Sequence, residues 1–372
     1  MFWLILGLAL LWLGYLLAEA RQVSQARKRI PHVIHVNGTR GKSTTCRLIE
    51  AGLRAGGLRV FCKTTGTDPM TIDTEGREEL LVRRGRANIK EQIKILRRAA
   101  RQNAQVLVIE CMALQPELQY AAQHRILRAD IGVITNVRRD HTDVMGNTLG
   151  EICDALCNTV PRGGLLFTGE RTLAERMSKA ARRLDSELIP AYPNGAEPSF
   201  DFPENIALAR AVCERLGVDR NTALAGMARF KRDPFALTLH NVHNAIWING
   251  LSINDVQSTC MVWENLKRQY GWSNQQLILL VNNRADRGGR TRDMLQVCLE
   301  LRPKEVWLLG ASQSYMGFWL NRRGISSRRF PSAVALDLAA LDKDSVVYAI
   351  GNIAGEGRAV TARIEQEGTR FV

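Results

Sequence analysis

A glycine-rich segment that ends in lysine and serine follows a short apolar run near the start of the chain. The segment reads Asn37-Gly38-Thr39-Arg40-Gly41-Lys42-Ser43-Thr44, directly after residues 33–36. A strand, a glycine loop and a helix in this order aim backbone N–H groups at nucleotide phosphates. In such loops the lysine reaches the β- and γ-phosphates and the serine hydroxyl ligates Mg²⁺. Val36 stands where the longer motif has glycine, so the segment matches the shorter GxxGKS form and predicts a nucleotide and Mg²⁺ site.

Two further segments place ionisable side chains at the ends of apolar runs. Residues 106–110 end in Glu110, and in a phosphate-loop fold such a carboxylate holds Mg²⁺ directly or through water. The segment NVRRDHTD, residues 136–143, follows the next apolar run and contains Asp140, His141 and Asp143. These side chains are suited to metal ligation or proton transfer. A turn alone does not require three of them. The alternative for Glu110 is a carboxylate that only caps a helix.

These segments need a sheet to bring them together. Short apolar runs alternate with helical patterns, which indicates a parallel sheet covered by helices. Two helical stretches, 204–216 and 220–229, separate two series of runs, and Asp233-Pro234 is the predicted linker. We expect an ATPase domain over 31–232 and a smaller α/β domain over 235–372. The predicted strands are 33–36, 60–63, 106–110, 131–136, 165–168, 245–249, 277–282, 305–309 and 346–350.

The chain begins with an uninterrupted apolar run, residues 2–18, followed by Arg21, Arg27, Lys28 and Arg29. As a helix this run is ~25 Å long, at the short end of what crosses a bilayer. Lys and Arg are retained on the cytoplasmic side, so the run predicts a single-pass anchor in the inner membrane with the catalytic domains in the cytoplasm. The basic stretch 19–30 is then juxtamembrane. A cleaved signal peptide, the alternative, carries its positive charge before the apolar run.

Composition limits the classes of protein that fit. The chain has 372 residues, 45% hydrophobic and 24% charged, which excludes a disordered polyampholyte and a polytopic membrane protein. Lys and Arg number 51 against 37 Asp and Glu, a formal charge of +14 that favours anionic partners. The basic residues are dispersed in pairs without interleaved aromatics, which argues against nucleic acid. Eight cysteines without a CxxC pair are typical of reduced cytosolic thiols.

Taken together, the motifs resemble a known family. The loop NGTRGKST, Glu110 and NVRRDHTD resemble the central domain of the Mur ligase superfamily, which includes peptidoglycan amino-acid ligases and folylpolyglutamate synthetase. Five further segments resemble the narrower CapB, or PgsB, family of poly-γ-glutamate synthase subunits. The resemblance implies a Mur-ligase-like P-loop ATPase domain and a smaller Rossmann-like α/β domain, preceded by one transmembrane helix. The five segments are KTTGTD (63–68), ECMALQP (110–116), IGVITNVRRDHTDVMG (131–146), NNRADR (282–287) and GNIAGEG (351–357).

The resemblance also implies a reaction and its residues. ATP phosphorylates a glutamate side-chain carboxylate, and the amino group of another glutamate attacks the acyl phosphate to form a γ-amide. By this resemblance Lys42 stabilises the transferred phosphoryl group, Ser43 and Glu110 hold the Mg²⁺ on ATP, and His141 serves a second Mg²⁺. Cations suit this task because two anions must be brought together. The residues implied in nucleotide binding are Asn37, Gly38, Thr39, Arg40, Gly41, Lys42, Ser43, Thr44, Asn205 and Arg232.

Several of these assignments have simpler alternatives. Asn205 aligns with an adenine-contacting Asn of the superfamily, but an Asn at a helix start is common for capping alone. Arg284 and Arg287 are the implied catalytic arginines, and together with Arg290 they would suit bidentate recognition of glutamate carboxylates or the acyl phosphate. A solvated basic loop is the other interpretation. The segment Asn254-Asp255 lies near cleft residues of the Mur ligases, and its role stays open.

The sequence departs from the superfamily in two respects. Many Mur ligases have a carbamylated lysine about fifteen residues after the metal histidine, whereas this chain has Leu156 near that position and no lysine between Lys94 and Lys179. The phosphate loop also begins about 20 residues after the apolar run. We expect no UDP-sugar domain there, which disfavours a peptidoglycan substrate.

The predicted function is therefore an ATP-dependent amide ligase that makes poly-γ-glutamate. Its expected partners are L- or D-glutamate, the polymer, small membrane subunits of a synthase or export complex, and anionic lipid, but not nucleic acid. Two alternatives stay open: a folylpolyglutamate-type ligase acting on a soluble substrate, and a P-loop ATPase that drives polymer export.

Overall fold

The computed structural model describes residues 1–66, 68–83, 87–195, 197–198, 201–232, 237–253, 255–285 and 288–371. The chain divides into two compact units, Met1–Asp233 and Pro234–Val372. The predicted linker Asp233-Pro234 lies outside the described residues.

The first unit is built on one mixed sheet. Its strands are β1 (His32–Asn37), β2 (Val60–Thr64), β3 (Met70–Ile72), β4 (Glu78–Leu80), β5 (Val106–Glu110), β6 (Ile131–Ile134), β7 (Leu165–Thr168) and β8 (Glu187–Pro190). Within the described residues the order is β4-β3-β2-β5-β1-β6-β7-β8. The six strands from β2 to β8 in that order are parallel, and β3 and β4 are antiparallel at one edge.

Helices cover both faces of this sheet. Apolar residues of α2, α8 and α9 form one core with β1, β2, β5 and β6, and α3 contributes to a second core with β1, β2 and β5. The helices are α1 (Phe2–Lys28), α2 (Lys42–Ala55), α3 (Glu91–Arg101), α4 (Pro116–Tyr120), a π-helical segment (Ala121–Leu127), α5 (Thr142–Met145), α6 (Leu149–Cys157), α7 (Ala174–Arg182), α8 (Pro203–Arg215) and α9 (Arg220–Met227).

Strand β1 lies between β5 and β6 and is buried over Val33–Asn37. The parallel register sets Val36 beside Glu110 and Asn37 beside Ile134. Because parallel strands end at the same edge of a sheet, the loops after β1, β5 and β6 emerge together. The three motifs that the sequence singles out therefore share one edge.

The amino-terminal helix extends beyond the apolar run. Helix α1 continues without a break through the predicted juxtamembrane stretch to Lys28, where Val23 and Ala26 are buried against α3. The side chains of the apolar run itself are exposed. Among the described residues, α1 is the one helix long and apolar enough to cross a membrane, by length and composition.

The second unit has its own mixed sheet. In the described residues its order is β13-β12-β11-β14-β10-β9-β15, with β9 and β15 antiparallel to their neighbours. The strands are β9 (Thr238–Val242), β10 (Ala245–Asn249), β11 (Leu277–Asn283), β12 (Glu305–Gly310), β13 (Ser327–Arg329), β14 (Val346–Gly351) and β15 (Gly368–Arg370). The helices are α10 (Val256–Tyr270), α11 (Gly288–Leu301), α12 (Gln313–Arg322) and α13 (Glu356–Glu367), with a short 3₁₀ turn at Ala333–Ala335.

All nine predicted strands are present, with small shifts at their ends. The largest error is at β6, which ends at Ile134 although the sequence predicted a strand to Asn136. The short strands β3, β4, β8, β9, β13 and β15 were not predicted, because runs of three to five residues at the sheet edges have little apolar pattern.

Candidate active site

The phosphate loop depends on two glycines with positive φ. Gly38 has φ of 128°, and a Cβ built there would lie 2.0 Å from Thr135 Oγ1. Gly41 has φ of 76°, and its Cβ would lie 2.7 Å from Asn205 Oδ1. L-residues with a side chain rarely adopt this backbone region. Both glycines are thus required by the conformation of the loop and by its neighbours.

The loop is held in place from the end of β6. The Asn136 carboxamide accepts hydrogen bonds from Thr39 Oγ1 (2.8 Å) and the Arg40 N–H (3.1 Å), and donates to the Arg40 carbonyl (3.1 Å). The Thr135 hydroxyl donates to the same carbonyl at 2.6 Å. Asn136, the first residue of the NVRRDHTD segment, therefore positions the phosphate loop. This role was not predicted, because it depends on β6 lying beside β1.

Helix α2 begins at Lys42, directly after the loop. The Lys42 ammonium donates to the carbonyls of Gly38 (2.8 Å) and Thr39 (3.2 Å), so the side chain folds back over the loop. The positive end of the helix dipole and the ammonium thus face the same space, which suits a phosphate anion. Thr44, another predicted loop residue, is half-buried in the first turn of α2.

A hydroxyl and a carboxylate converge beside the loop. Ser43 Oγ donates to Glu110 Oε2 at 2.8 Å, and the backbone N–H of Thr65 donates to the same oxygen at 2.6 Å. Glu110 is buried at the end of β5, and its backbone carbonyl accepts from the Gln92 amide. The two predicted Mg²⁺ ligands are therefore side by side, and Thr65 is an additional residue that fixes the carboxylate.

A buried ion pair supports this corner of the sheet. Lys63 Nζ lies 2.9 Å from Glu91 Oε1, and the Glu91 carboxylate also forms an ion pair with the Arg83 guanidinium. Burial lowers the pKa of Lys63, and the Glu91 carboxylate opposes that shift. The pair links β2, from the KTTGTD segment, to α3.

The phosphate loop and the segment after β6 line one small cleft of about 40 Å³. His141 lies at the amino-terminal end of α5 with φ of 47°, and Arg40 pairs with Asp140 at 3.4 Å. His141 Nε2 lies 3.8 Å from Asp140 Oδ1. The structure therefore brings the predicted Lys42 and His141 to the same cleft. Its lining residues are Asn37, Gly38, Thr39, Lys42, Cys111, Ala113, Leu114, Asp140, His141, Met145 and Leu156.

The donor set fits a hard divalent cation that also binds a phosphate. Ser43 and Glu110 present oxygen atoms, the ligands that Mg²⁺ prefers, and Mg²⁺ commonly takes only one or two protein ligands beside phosphates and water. In the part of the chain that the structure describes, no group of three or more His, Cys, Asp or Glu side chains is arranged to hold a metal. Ser43 and Glu110 thus match a nucleotide-associated ion better than an all-protein cage, and the second-metal role of His141 stays a prediction.

Two buried groups at this edge are neutral. Burial raises the pKa of the Cys111 thiol to about 11, so this cleft residue is protonated at neutral pH and is not a thiolate nucleophile. Burial lowers the pKa of His35 to about 4, and a bond between its Nδ1 and the Gln123 carboxamide (2.9 Å) opposes that shift. His141 is then the imidazole that faces the cleft.

The remaining predicted nucleotide residues occupy two environments. Asn205 lies in the first turn of α8, whose N-cap residue is Phe202. Its side-chain amide donates to Asp201 Oδ1 at 3.0 Å. It contacts Gly41, so it is not a simple helix cap. Burial raises the pKa of Asp201, with Asn205 and then Arg232 among the groups that oppose the shift. Asn37 donates to Gln119 (2.8 Å) and Thr159 (3.2 Å), which fixes the start of the loop.

The second unit has polar groups at its own strand ends. Asn282, in β11, donates to the carbonyls of Asn352 and of Ala354 at 3.0 Å. Arg290, in α11, donates to Asn352 Oδ1 at 2.9 Å and is therefore tied to the sheet and not solely solvated. Arg284 follows β11 directly. The predicted Arg287, with Asp286 and Asn254, lies outside the described residues.

Asp255, the described half of the Asn254-Asp255 segment, accepts a hydrogen bond from the backbone N–H of Ser258 at 2.8 Å. This bond caps the amino terminus of α10.

Comparison with known proteins agrees with this architecture. The Mur ligase middle domain model matches residues 36–162, and the poly-gamma-glutamate synthase CapB C-terminal domain model matches residues 235–367. The capsule biosynthesis protein CapB of Bacillus anthracis is 31% identical over 94% of this chain and 80% of its own length. The PGA synthase CapB of Bacillus subtilis is 30% identical over 94% of each chain.

Solved structures share the fold. The bifunctional folylpolyglutamate synthase/dihydrofolate synthase of Yersinia pestis superposes with a TM-score of 0.68 at 19% identity, covering 95% of this chain and 97% of that one. A structure of a bifunctional folylpolyglutamate synthase/dihydrofolate synthase with Mn, AMPPNP and L-glutamate bound gives a TM-score of 0.65. The predicted fold class is confirmed, and the chain belongs to the CapB family of poly-γ-glutamate synthases within the Mur ligase superfamily.

Proposed function

We propose that this protein is an ATP-dependent amide ligase that joins glutamate units through their side-chain carboxylates into poly-γ-glutamate. The observation that carries the proposal is the shared cleft, in which Lys42 and the phosphate loop face His141. A motor that only hydrolyses ATP needs the loop, but the DHTD segment beside it has no obvious role in such a motor. The family relationship and the glutamate bound to a protein of the same fold support the same substrate class.

The chemistry proceeds in two steps. A glutamate γ-carboxylate oxygen attacks the γ-phosphorus of ATP, the bond from that phosphorus to the bridging oxygen breaks, and ADP leaves. The amino nitrogen of a second glutamate then attacks the γ-carbonyl carbon, the carbon–oxygen bond to phosphate breaks, and the nitrogen loses a proton. The products are a γ-amide, ADP and phosphate.

The residues of this chain hold the reacting groups. Lys42 and the first N–H groups of α2 bind the phosphates, because an ammonium and a helix terminus both neutralise developing negative charge. Ser43 and Glu110 would hold Mg²⁺, which when bound neutralises the phosphate oxygens. We propose that His141 serves a second Mg²⁺ near the γ-carboxylate and that Asn205 and Arg232 contact the nucleotide. The arginines after β11, including Arg284 and Arg287, would bind glutamate carboxylates.

The amino-terminal helix supports a location at the inner membrane. Its exposed apolar run is followed by basic residues, so we propose a single-pass anchor with both units in the cytoplasm. Small membrane subunits of a synthase or export complex are proposed partners on the same basis.

The function is tested on membranes that contain the full chain, with ATP, Mg²⁺ and L- or D-glutamate. We expect ADP release that depends on glutamate, and a polymer whose linkages are γ-amides by NMR. ADP release that does not depend on glutamate, with no polymer formed, would contradict the ligase function and favour an export ATPase. Polymer formed only when the small membrane subunits are co-expressed agrees with the proposal, so the assay is run with and without them.

The metal ligands are tested with Glu110→Gln, which keeps the size of the side chain and removes its charge. We expect the Mg²⁺ concentration for half-maximal ADP release to rise about tenfold or more, because one anionic ligand is lost. The control is Glu175→Gln, an exposed surface carboxylate. An unchanged Mg²⁺ dependence would remove Glu110 from the site.

A further inference from the structure

A basic cleft lies outside the candidate active site, between the carboxyl-terminal half of α1 and helix α3. It is an open cleft with a volume of about 270 Å³, and its polar lining consists of Gln22, Gln25 and Arg29 from α1 and of Arg97 and Arg101 from α3. Three guanidinium groups and two carboxamides thus surround one space. The proposed ligase reaction uses none of these side chains.

The walls of the cleft are fixed to each other. Val23 and Ala26 of α1 are buried against a cluster that includes Ile95 and Ala99 of α3. The Arg27 guanidinium donates to Asp130 at 2.6 Å and to the Arg128 carbonyl at 3.0 Å, which ties the end of α1 to the loop before β6. The cleft is therefore part of the folded first unit and not a gap beside a loose helix.

The arginines of the cleft differ from their neighbours in having no acidic partner. Arg27 pairs with Asp130 and Arg98 with Glu79, whereas the side chains of Arg29, Arg97 and Arg101 make no ion pair or hydrogen bond with any described residue. The Nε atom of Arg97 is buried without an acceptor. A buried donor without a partner is costly, so an external acceptor is favoured there.

The position of the cleft along α1 indicates what that acceptor is. Gln22 follows the last residue of the apolar run, Ala18, by four residues of continuous helix, which is ~6 Å along its axis. If the run spans the membrane as proposed above, the Gln22 end of the cleft lies at the depth of the lipid head groups on the cytoplasmic side, and Arg29, ~16 Å beyond the run, lies at its far end. A phosphate at that depth is the phosphodiester of a phospholipid.

We propose that this cleft binds the head group of an anionic phospholipid of the cytoplasmic leaflet. The guanidinium groups of Arg29, Arg97 and Arg101 bind the phosphate oxygens, for which their planar forks are suited. Gln22 and Gln25 provide amide groups for head-group hydroxyls. The site gives the first unit a second, specific attachment to the membrane beside the anchor helix. It rests on the proposed anchor but not on the ligase reaction.

The test titrates detergent-solubilised full chain with short-chain phosphatidylglycerol and with phosphatidylcholine, and measures bound lipid by native mass spectrometry. We expect phosphatidylglycerol to bind in preference. The triple variant Arg29→Gln, Arg97→Gln, Arg101→Gln should lose that affinity by roughly fivefold per arginine removed, because each basic side chain contributes on that order near an anionic surface. The matched control changes three exposed arginines elsewhere in the unit: Arg182→Gln, Arg183→Gln, Arg215→Gln.

Three outcomes would overturn the proposal. The first is equal affinity of the triple variant and the wild type for phosphatidylglycerol. The second is displacement of the lipid by glycerol 1-phosphate at comparable concentration, which would assign the cleft to a soluble phosphate. The third is displacement by a short γ-glutamate oligomer, which would assign it to the polymer.

Two further measurements separate this proposal from the others. Extraction of the wild type from membranes with alkaline carbonate tests the anchor, and glutamate-dependent ADP release tests the ligase. Unchanged ADP release by the triple variant also shows that it is folded. We expect the triple variant to lose its preference for phosphatidylglycerol while membrane anchoring and ADP release stay intact. If it keeps that preference, the lipid site is contradicted, but the anchor and the ligase function are not.

Discussion

The two units place polar groups at the carboxyl ends of parallel strands in different ways. In the first unit the groups are charged or hydroxylic, and they bond to one another or to the loop, as Lys42 does to Gly38 and Ser43 does to Glu110. In the second unit the Asn282 carboxamide bonds to backbone carbonyls, and the Asn352 carboxamide accepts a hydrogen bond from Arg290. The first arrangement supplies both a cation and an anion, as phosphate with Mg²⁺ requires, whereas the described carboxamide contacts of the second hold a cation, Arg290.

From this difference we propose separate tasks for the two units. A site that holds a carboxylate beside a hydroxyl is suited to a metal-bound nucleotide. An arginine held through one N–H by a side-chain amide has further N–H donors that suit an organic carboxylate. Substitutions should therefore separate nucleotide effects from glutamate effects.

The largest effect is expected for Lys42→Ala. Removing the ammonium from the phosphate loop should lower glutamate-dependent ADP release by about 10³-fold, because the charge that develops on the phosphoryl oxygens loses its partner. Release is measured in membranes at saturating ATP. The control is Lys179→Ala, which removes an exposed lysine paired only with Glu175. Activity above a tenth of wild type would contradict the assignment of Lys42.

His141→Ala is expected to have the next largest effect, and to lower the rate of the reaction without preventing ATP binding. ATP should still bind, because the phosphate loop is intact, while glutamate-dependent ADP release falls by about 10²-fold. Binding of a fluorescent ATP analogue and ADP release are measured on the same preparation. Loss of analogue binding together with activity would instead make His141 part of the nucleotide site.

The sequence was sufficient to predict the features that depend on strong local patterns. Strand β5 agrees with its prediction residue for residue, because its apolar run ends sharply at Glu110. The Ser43 and Glu110 contact also followed, since the motif places both groups at the same sheet edge. The predicted ligase function and family rested on the same local motifs.

Features that depend on tertiary neighbours could not be predicted. Asn136 begins the NVRRDHTD segment, but no role was predicted for it, and it holds Arg40 and Thr39 of the phosphate loop. The pairing of Lys63 with Glu91 joins residues 28 positions apart, and no periodicity in the sequence signals it. The cleft at Arg97 likewise requires α1 to pack on α3.

Arg290→Gln tests the task assigned to the second unit. We expect the KM for glutamate to rise about tenfold, since a charged donor to a carboxylate is lost, with the KM for ATP changed by less than about twofold. The matched control is Arg292→Gln, which removes the same charge from an exposed position on the same helix. A parallel rise in both KM values would contradict the separation of the two tasks.

Gly351→Ala tests whether the strand ends of the second unit are as closely packed as the phosphate loop of the first. Gly351 ends β14 with φ of 103°, and a Cβ there would lie 2.5 Å from the carbonyl oxygen of Asn282. Backbone strain and this contact should lower the free energy of unfolding by about 2 kcal/mol. Gly271→Ala is the control: φ is 72° there, and nothing lies within 4 Å of the added Cβ. Thermal unfolding followed by circular dichroism should therefore show a larger decrease in Tm for Gly351→Ala. Equal decreases would mean that strain alone acts, and that contact with Asn282 does not constrain this edge as Thr135 constrains Gly38.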